Sequence, residues 1–226
     1  VSDLLLLGGL MLAFVGTHEL LSHPLRAPLV ARIGEKGFAI LYSLVALACF
    51  GGAVQVWRGI GPEPLWTPPG PVYAVCVLLM GLASVLFVGS VTAPNPAMMP
   101  GVKGPPQGVQ RITRHPMMWA MAIWGLVHIT VTGDPRMFVL AGGVVTLALL
   151  GTAMQDRKKC RQNPAYAAHM AATSHVPFLA IMSGRQPLAA LWPGLVPFAG
   201  GLVLFLAIGF AHPWLIGLPA FDRAFL

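Results

Sequence analysis

At 226 residues with 56% hydrophobic and 9% charged side chains, the chain carries too little charge for a water-soluble fold, and its apolar residues fall into blocks longer than a soluble core helix requires. A net charge of +7 is met by anionic headgroups at a membrane surface and calls for no nucleic acid. Cys49, Cys76 and Cys160 include no C-x-x-C pair, which excludes a disulfide framework and a zinc knuckle. The composition predicts an all-α, polytopic membrane helix bundle, a single integral membrane domain over residues 1–226 with about six transmembrane helices.

The first span covers about 4–22. It lacks the basic leader and small-residue cleavage site of a signal peptide and is expected to be a mature helix. His18 and Glu19 interrupt its apolar run. In His18-Glu-Leu-Leu-Ser-His23 the histidines are five apart, so on an unbroken helix their rings diverge by roughly 140° and cannot chelate one ion as the four-residue spacing of a zincin does. Glu19 and His23 are four apart and are expected to pair. After a loop with Arg26, Arg32 and Lys36, the second span covers about 38–57 and the third about 71–93. The segment from Pro94 to Val109 is so rich in proline and glycine that an ordered irregular loop is expected rather than helix. It leads to Arg111, Arg114 and His115, and Pro116 then suits the first turn of the fourth span, about 116–132, where its missing N–H costs nothing. The run Trp119-Ala-Met-Ala-Ile-Trp-Gly-Leu-Val-His-Ile-Thr-Val131 places His128 inside that span. The fifth span covers about 136–154. The long loop from Gln155 to Ala190 opens with Asp156-Arg-Lys-Lys159 and is expected to hold a short interfacial helix, with His169 and His175 in that region. The sixth span covers about 191–215.

Lysine and arginine accumulate in cytoplasmic loops. The first, third and fifth loops hold eleven of them, against Arg58, Arg136 and Arg223 elsewhere. The bias predicts a multi-pass protein of a bacterial inner membrane with both termini periplasmic.

Ionisable residues at membrane depth are functional candidates. His18 and His128 on separate helices suit the axial ligation of a haem iron in a helix bundle, and Arg111 and Arg114 at a basic edge suit its propionates. The bland alternatives are histidines satisfied by neighbouring polar groups and arginines that anchor to headgroups. At about 1.5 Å per residue, His18 lies roughly 8 Å and His128 roughly 18 Å above the same membrane face. A tilted haem bridges that offset; otherwise His115 replaces one of the pair. Met117, Met118 and Met121 read as packing, Gly142-Gly143 and Gly200-Gly201 as close helix contacts. No serine, histidine and carboxylate form a recognisable catalytic set.

As an ordered set, several segments resemble the NnrU family of membrane proteins. They are Gly8-Gly-Leu-Met-Leu-Ala-Phe-Val-Gly-Thr-His18, His23-Pro-Leu-Arg26, Arg32-Ile-Gly-Glu-Lys-Gly-Phe38, Leu41-Tyr-Ser-Leu-Val45, Arg111-Ile-Thr-Arg-His-Pro116, Trp124-Gly-Leu-Val-His128, Asp156-Arg157 and Thr173-Ser-His-Val-Pro-Phe178. The resemblance implies a role linked to denitrification and nitric oxide metabolism. Through the related zeta-carotene isomerase branch it implies haem b, with His18 and His128 at the positions of that branch's ligand histidines, and cis–trans isomerisation of a polyene. The ligand acted on would be an apolar polyene or a small gas; a homo-oligomer is compatible with the sequence. Gly125 stands where that branch has a cysteine, so no thiolate is present to exchange on iron. Arg-His-Pro at a helix start also resembles membrane methyltransferases that act on isoprenylcysteine with S-adenosylmethionine, with Asp156 as counterpart of their acidic residue. That resemblance implies the alternative, a haem-free membrane module: a methyltransferase-like scaffold or an assembly factor for a respiratory enzyme.

Overall fold

The computed structural model describes residues 2–97, 104–163 and 166–221; Lys103 in the third loop and Arg223 in the tail lie outside the described residues. Regular structure among the described residues is helical: α1 (Ser2–Ser22), α2 (Arg26–Gly59), α3 (Gly70–Thr92), α4 (Pro116–Thr132), α5 (Pro135–Gln162), the short α6 (Tyr166–Ala172) and α7 (Leu179–Met182), and α8 (Leu195–Ile216). Of these, α1, α2, α3, α5 and α8 are long and apolar enough to cross a membrane. The fourth expected span forms α4 with the expected bounds, but its 17 residues reach only about 26 Å at ~1.5 Å per residue, a little short of a bilayer core of roughly 30 Å. Leu12, Leu47, Leu78 and Val203 point large apolar side chains outward, as lipid-facing residues do.

Two helices exceed their expected lengths. The first loop is only a tight connection, because α2 begins at Arg26 and runs through Arg32 and Lys36. It is bent at Gly34, whose φ of 71° and ψ of 170° interrupt the helix in a conformation that favours glycine. Arg26 spans the bend, its Nη2 2.8 Å from Glu35 Oε2 and its guanidinium over the Phe38 ring. At the other end of the chain α5 continues to Gln162, so the stretch Asp156-Arg-Lys-Lys159, expected as loop, is helical. Arginine, lysine and glutamine are good helix formers; charge ends a hydrophobic block without ending a helix.

The chain divides into two compact units. The first comprises Val1–Thr67 and His128–Leu147. Its core joins Leu7 and Met11 of α1, Ala53 of α2 and Leu140 of α5. Gly143 permits this approach, since a Cβ there would stand 2.4 Å from Met11 Cε. The α4–α5 turn is pinned in the same unit: Leu65 N donates to Gly133 O at 2.9 Å and Trp66 Nε1 to Thr130 O at 2.9 Å. Arg136 caps the end of α2, donating to the carbonyls of Ile60 and Trp57 while it lies 4.7 Å over the Trp57 ring. A guanidinium there complements the negative end of the helix dipole.

The second unit comprises Pro68–Val127 and Ala148–Leu226. Its frame is the α3–α8 pair, where Gly201 lets α8 approach the α3 backbone: a Cβ at Gly201 would lie 2.6 Å from Val85 Cα. Of each expected glycine pair, one member carries the tightest contact. Gly142 has open space where its Cβ would be, and Gly200 would meet only the Val88 side chain at 3.0 Å.

Candidate functional site

Two of the segments singled out in the sequence are bonded side by side in the second unit. Arg114 N donates to Ser174 O at 3.0 Å and Phe178 N to Ile112 O at 2.8 Å. Between them the hydroxyl of the fully buried Thr113 donates to His175 O at 2.7 Å and accepts from His115 N at 3.3 Å. Asn95 closes the other side, its side-chain amide donating to Arg114 O at 3.2 Å. Pro116 follows as the first residue of α4, where it needs no partner for a missing N–H. The Arg-His-Pro segment is therefore held by side-chain and backbone bonds before the helix begins.

This frame aims Arg114 and His115 at Asp156, in the last turns of α5. Arg114 places Nε 2.8 Å and Nη2 2.7 Å from Asp156 Oδ2. His115 Nε2 lies 2.8 Å from Oδ1, and the Tyr166 hydroxyl donates to the same oxygen at 2.7 Å. Arg114, His115, Asp156 and Tyr166 are all buried. A carboxylate paired with arginine accepts and does not donate, so the His115 proton sits on Nε2 and leaves Nδ1 as the basic nitrogen. Burial, then the hydrogen bond to Asp156, pushes the Tyr166 hydroxyl well above the ordinary tyrosine range. His175 stands with its ring 5.5 Å from that of His115, its Nε2 3.4 Å from Thr152 Oγ1. His169, on α6, stacks on Tyr166 at 5.7 Å. Burial first, and then the positive charge of the neighbouring Arg114, holds both His169 and His175 below the usual histidine range.

The remaining expected site residues lie elsewhere. Arg111 Nε donates to Gln186 Oε1 at 3.0 Å. His18 and His128 both belong to the first unit, and both are half-buried. His18 Nδ1 lies 2.8 Å from the Phe14 carbonyl; a carbonyl only accepts, so the proton is on Nδ1 and Nε2 keeps its lone pair, the tautomer of an imidazole that ligates through Nε2. Its ring meets Phe14 at 4.3 Å and Tyr42 at 5.0 Å, both edge to face, so packing as well as hydrogen bonding fixes its orientation. The His128 carbonyl accepts from Thr132 Oγ1 at 2.7 Å. Glu19 and His23 pair at 3.2 Å, as their spacing predicts, and divert His23 from any ion near His18.

Sequence reasoning gave Asp156 only the part of a methyltransferase counterpart and gave Tyr166 and Thr152 none. The available signal was a lone acid opening a loop otherwise basic, with an adjacent Arg-His pair upstream to neutralise and orient it.

Among known proteins, the chain is 34% identical over 110 residues to a protein of Zea mays named 15-cis-zeta-carotene isomerase, chloroplastic, which covers 47% of this chain and 30% of that one. It is 27% identical over 204 residues to the Arabidopsis thaliana protein of the same name, covering 82% of this chain and 53% of the relative. The chain thus spans about half or less of the length of these relatives. No solved structure matches it significantly. The model of the family described as NnrU protein matches residues 5–220, nearly the whole chain including the segment that holds Arg114 and His115: the protein belongs to the NnrU family.

Proposed function

We propose that this membrane protein binds haem b through His18 and His128 and acts as a cis–trans isomerase on an apolar polyene. The observation that carries the reading is the similarity to two proteins named 15-cis-zeta-carotene isomerase. The geometry at His18 agrees with it: Nδ1–H held by the Phe14 carbonyl leaves Nε2 as the nitrogen that could ligate. Edge-to-face contacts with Phe14 and Tyr42 fix the ring. Haem b bound there would supply a redox-active iron able to interact with the π-system of a polyene. Position 125 is glycine and supplies no thiol, so the groups this chain would offer such an iron are the imidazoles of His18 and His128. An apolar polyene dissolves in the hydrocarbon core, which makes lateral entry between helices the natural route. The eleven basic residues that follow the first, third and fifth expected spans in sequence, several of them now within α2 and α5, face the cytoplasm of a bacterial inner membrane in this reading, with both ends of the chain on the periplasmic side.

The test is a visible spectrum of protein purified in detergent from haem-replete cells. A Soret band that weakens or shifts in His18→Ala and in His128→Ala is expected, together with isomerisation of an added cis polyene by the reduced protein, followed by its absorption. A colourless preparation overturns the haem reading and returns the chain to the haem-free scaffold. Bands unchanged in both variants overturn the ligand assignment. A coloured protein that leaves the polyene unchanged but rapidly forms a ferrous nitrosyl spectrum overturns the isomerase reading in favour of chemistry on nitric oxide.

A further inference from the structure

The buried cluster around Asp156 holds more nitrogen donors than its own hydrogen bonds use. His115, Asp156 and His175 each offer a ligand atom, and these atoms lie within 4.8 Å of one another. They come from three places in the second unit: the residue before α4, the end of α5, and the segment after α6. Two imidazoles and one carboxylate converging from separate elements form the donor set of a facial triad for a divalent first-row metal. We propose that His115, Asp156 and His175 hold such an ion, distinct from any haem iron.

Charge favours this assignment despite the neighbouring arginine. Arg114 occupies Oδ2 of Asp156 and cancels its charge, leaving Oδ1 directed at His115. An ion at the triad meets two neutral imidazoles and a neutralised carboxylate, the electrostatic equivalent of a three-histidine zinc site. Tetrahedral bonds of about 2.0–2.1 Å set ligand atoms about 3.4 Å apart, so binding moves His115 and Asp156 slightly apart from their 2.8 Å contact and draws the more distant donors in by at most about an ångström and a half. The ion replaces the 2.8 Å contact between His115 Nε2 and Asp156, and the ring proton shifts to Nδ1 with no net change in charge.

A second observation points to a ligand. His169 is buried, and neither of its ring nitrogens has a hydrogen-bond partner among the described residues. It stacks on Tyr166, whose hydroxyl is on the proposed ligand oxygen. Trp119 Nε1 is likewise unpartnered, with its ring 6.1 Å from His175. A purely structural polar core closes on itself, because each buried group without a partner costs about 1–3 kcal/mol. This one satisfies the carboxylate fully and leaves an imidazole and an indole N–H beside its members without partners, polar groups suited to hydrogen-bonding a metal-bound water. Access exists beside it: a pocket of about 170 Å³ is lined by His115, Met117, Met118 and Gln155. That is room for a few waters at about 30 Å³ each.

The test uses the whole protein in detergent, its affinity tag removed, treated with chelator and titrated with Co2+. The proposal expects saturable binding of one Co2+ per chain, visible d–d bands without the near-ultraviolet charge-transfer band of a thiolate ligand, and displacement by Zn2+. Elemental analysis with haem iron counted separately should give the same stoichiometry in haem-depleted protein, so the outcome is independent of the haem reading. His175→Gln and Asp156→Asn should lose the bound ion, while His23→Gln retains it. His175→Gln removes only a 3.4 Å contact to Thr152 among its side-chain hydrogen bonds, so it keeps the test sound if Asp156→Asn does not fold. Absence of saturable uptake by wild type overturns the proposal, as does undiminished uptake by His175→Gln.

Discussion

Replacing Asp156 by alanine leaves the Arg114 guanidinium buried without its counter-ion. The side chains of the pair are only 11% and 9% exposed, too little for water to substitute. Breaking a buried pair by removing one partner costs about 3–5 kcal/mol, because the surviving charge is neither solvated nor neutralised. Tyr166→Phe removes a single hydrogen bond to a charged acceptor, worth about 1.5–3 kcal/mol, and leaves the ion pair intact. With roughly 2–4 °C of melting temperature per kcal/mol for a chain of this size, Asp156→Ala should melt some 10 °C below wild type and Tyr166→Phe several degrees below. The double variant Arg114→Ala/Asp156→Ala should recover part of the loss, since no lone charge remains. Thermal unfolding of detergent-purified protein, followed by intrinsic tryptophan fluorescence and size-exclusion chromatography, gives all three values. An Asp156→Ala protein no less stable than Tyr166→Phe, or a double variant that loses the full independent amount of Arg114→Ala as well, refutes a buried counter-ion role for Asp156.

Acidification should weaken the fold through His169 and His175. Both are held below the ordinary histidine value by burial and by the positive charge of Arg114, against the opposing pull of Asp156; below about pH 6.5 the unfolded chain therefore takes up protons that the folded chain does not, and stability falls as pH falls. Melting temperatures measured from pH 7.5 to 5 should decline, less steeply in His169→Phe, and a flat profile contradicts the assignment. Gly201→Ala should destabilise by about 1–3 kcal/mol through overpacking, since its Cβ meets the Val85 backbone at 2.6 Å. Gly142→Ala, with open space, should be neutral or stabilising by up to about 1 kcal/mol; the reverse order in denaturation assays refutes the contact. Arg136→Ala should cost about 1–2 kcal/mol by removing the α2 cap and the stack on Trp57, whereas Arg136→Lys, which keeps charge without the planar fork, should recover only part of it in the same assay.

Hydropathy alone located the cores of the long helices, because lipid exposure demands apolar residues on every side of a helix and leaves a continuous signal. It misjudged where α2 begins and α5 ends. Arg32, Glu35 and Lys36, like Arg157, Lys158 and Lys159, border a hydrophobic block yet favour helix, so the backbone continues where the apolar signal stops. The fold's finer joints, such as the bend at Gly34 or the cap supplied by Arg136, rest on contacts that no local pattern encodes. The Arg-His-Pro segment was legible as a helix start. Its partner was not, since Asp156 lies 42 residues beyond Arg114 and no periodicity links the two. His169 and His175 could be named as a region but not as neighbours of His115, because their convergence depends on the backbone bonds that tie Ile112 and Arg114 to Phe178 and Ser174.

The pairing of those two segments also sets an order of events during synthesis. Arg114 and His115 emerge first, Asp156 about forty residues later, and the carbonyl of His175, which receives the Thr113 hydroxyl, 62 residues after Thr113 itself. Until residues 174–178 leave the ribosome, the start of α4 lacks the bonds of Thr113 and Arg114 to that segment, even after Asp156 has emerged to pair with Arg114. The start of this helix is thus finished by residues made as much as 62 positions after it.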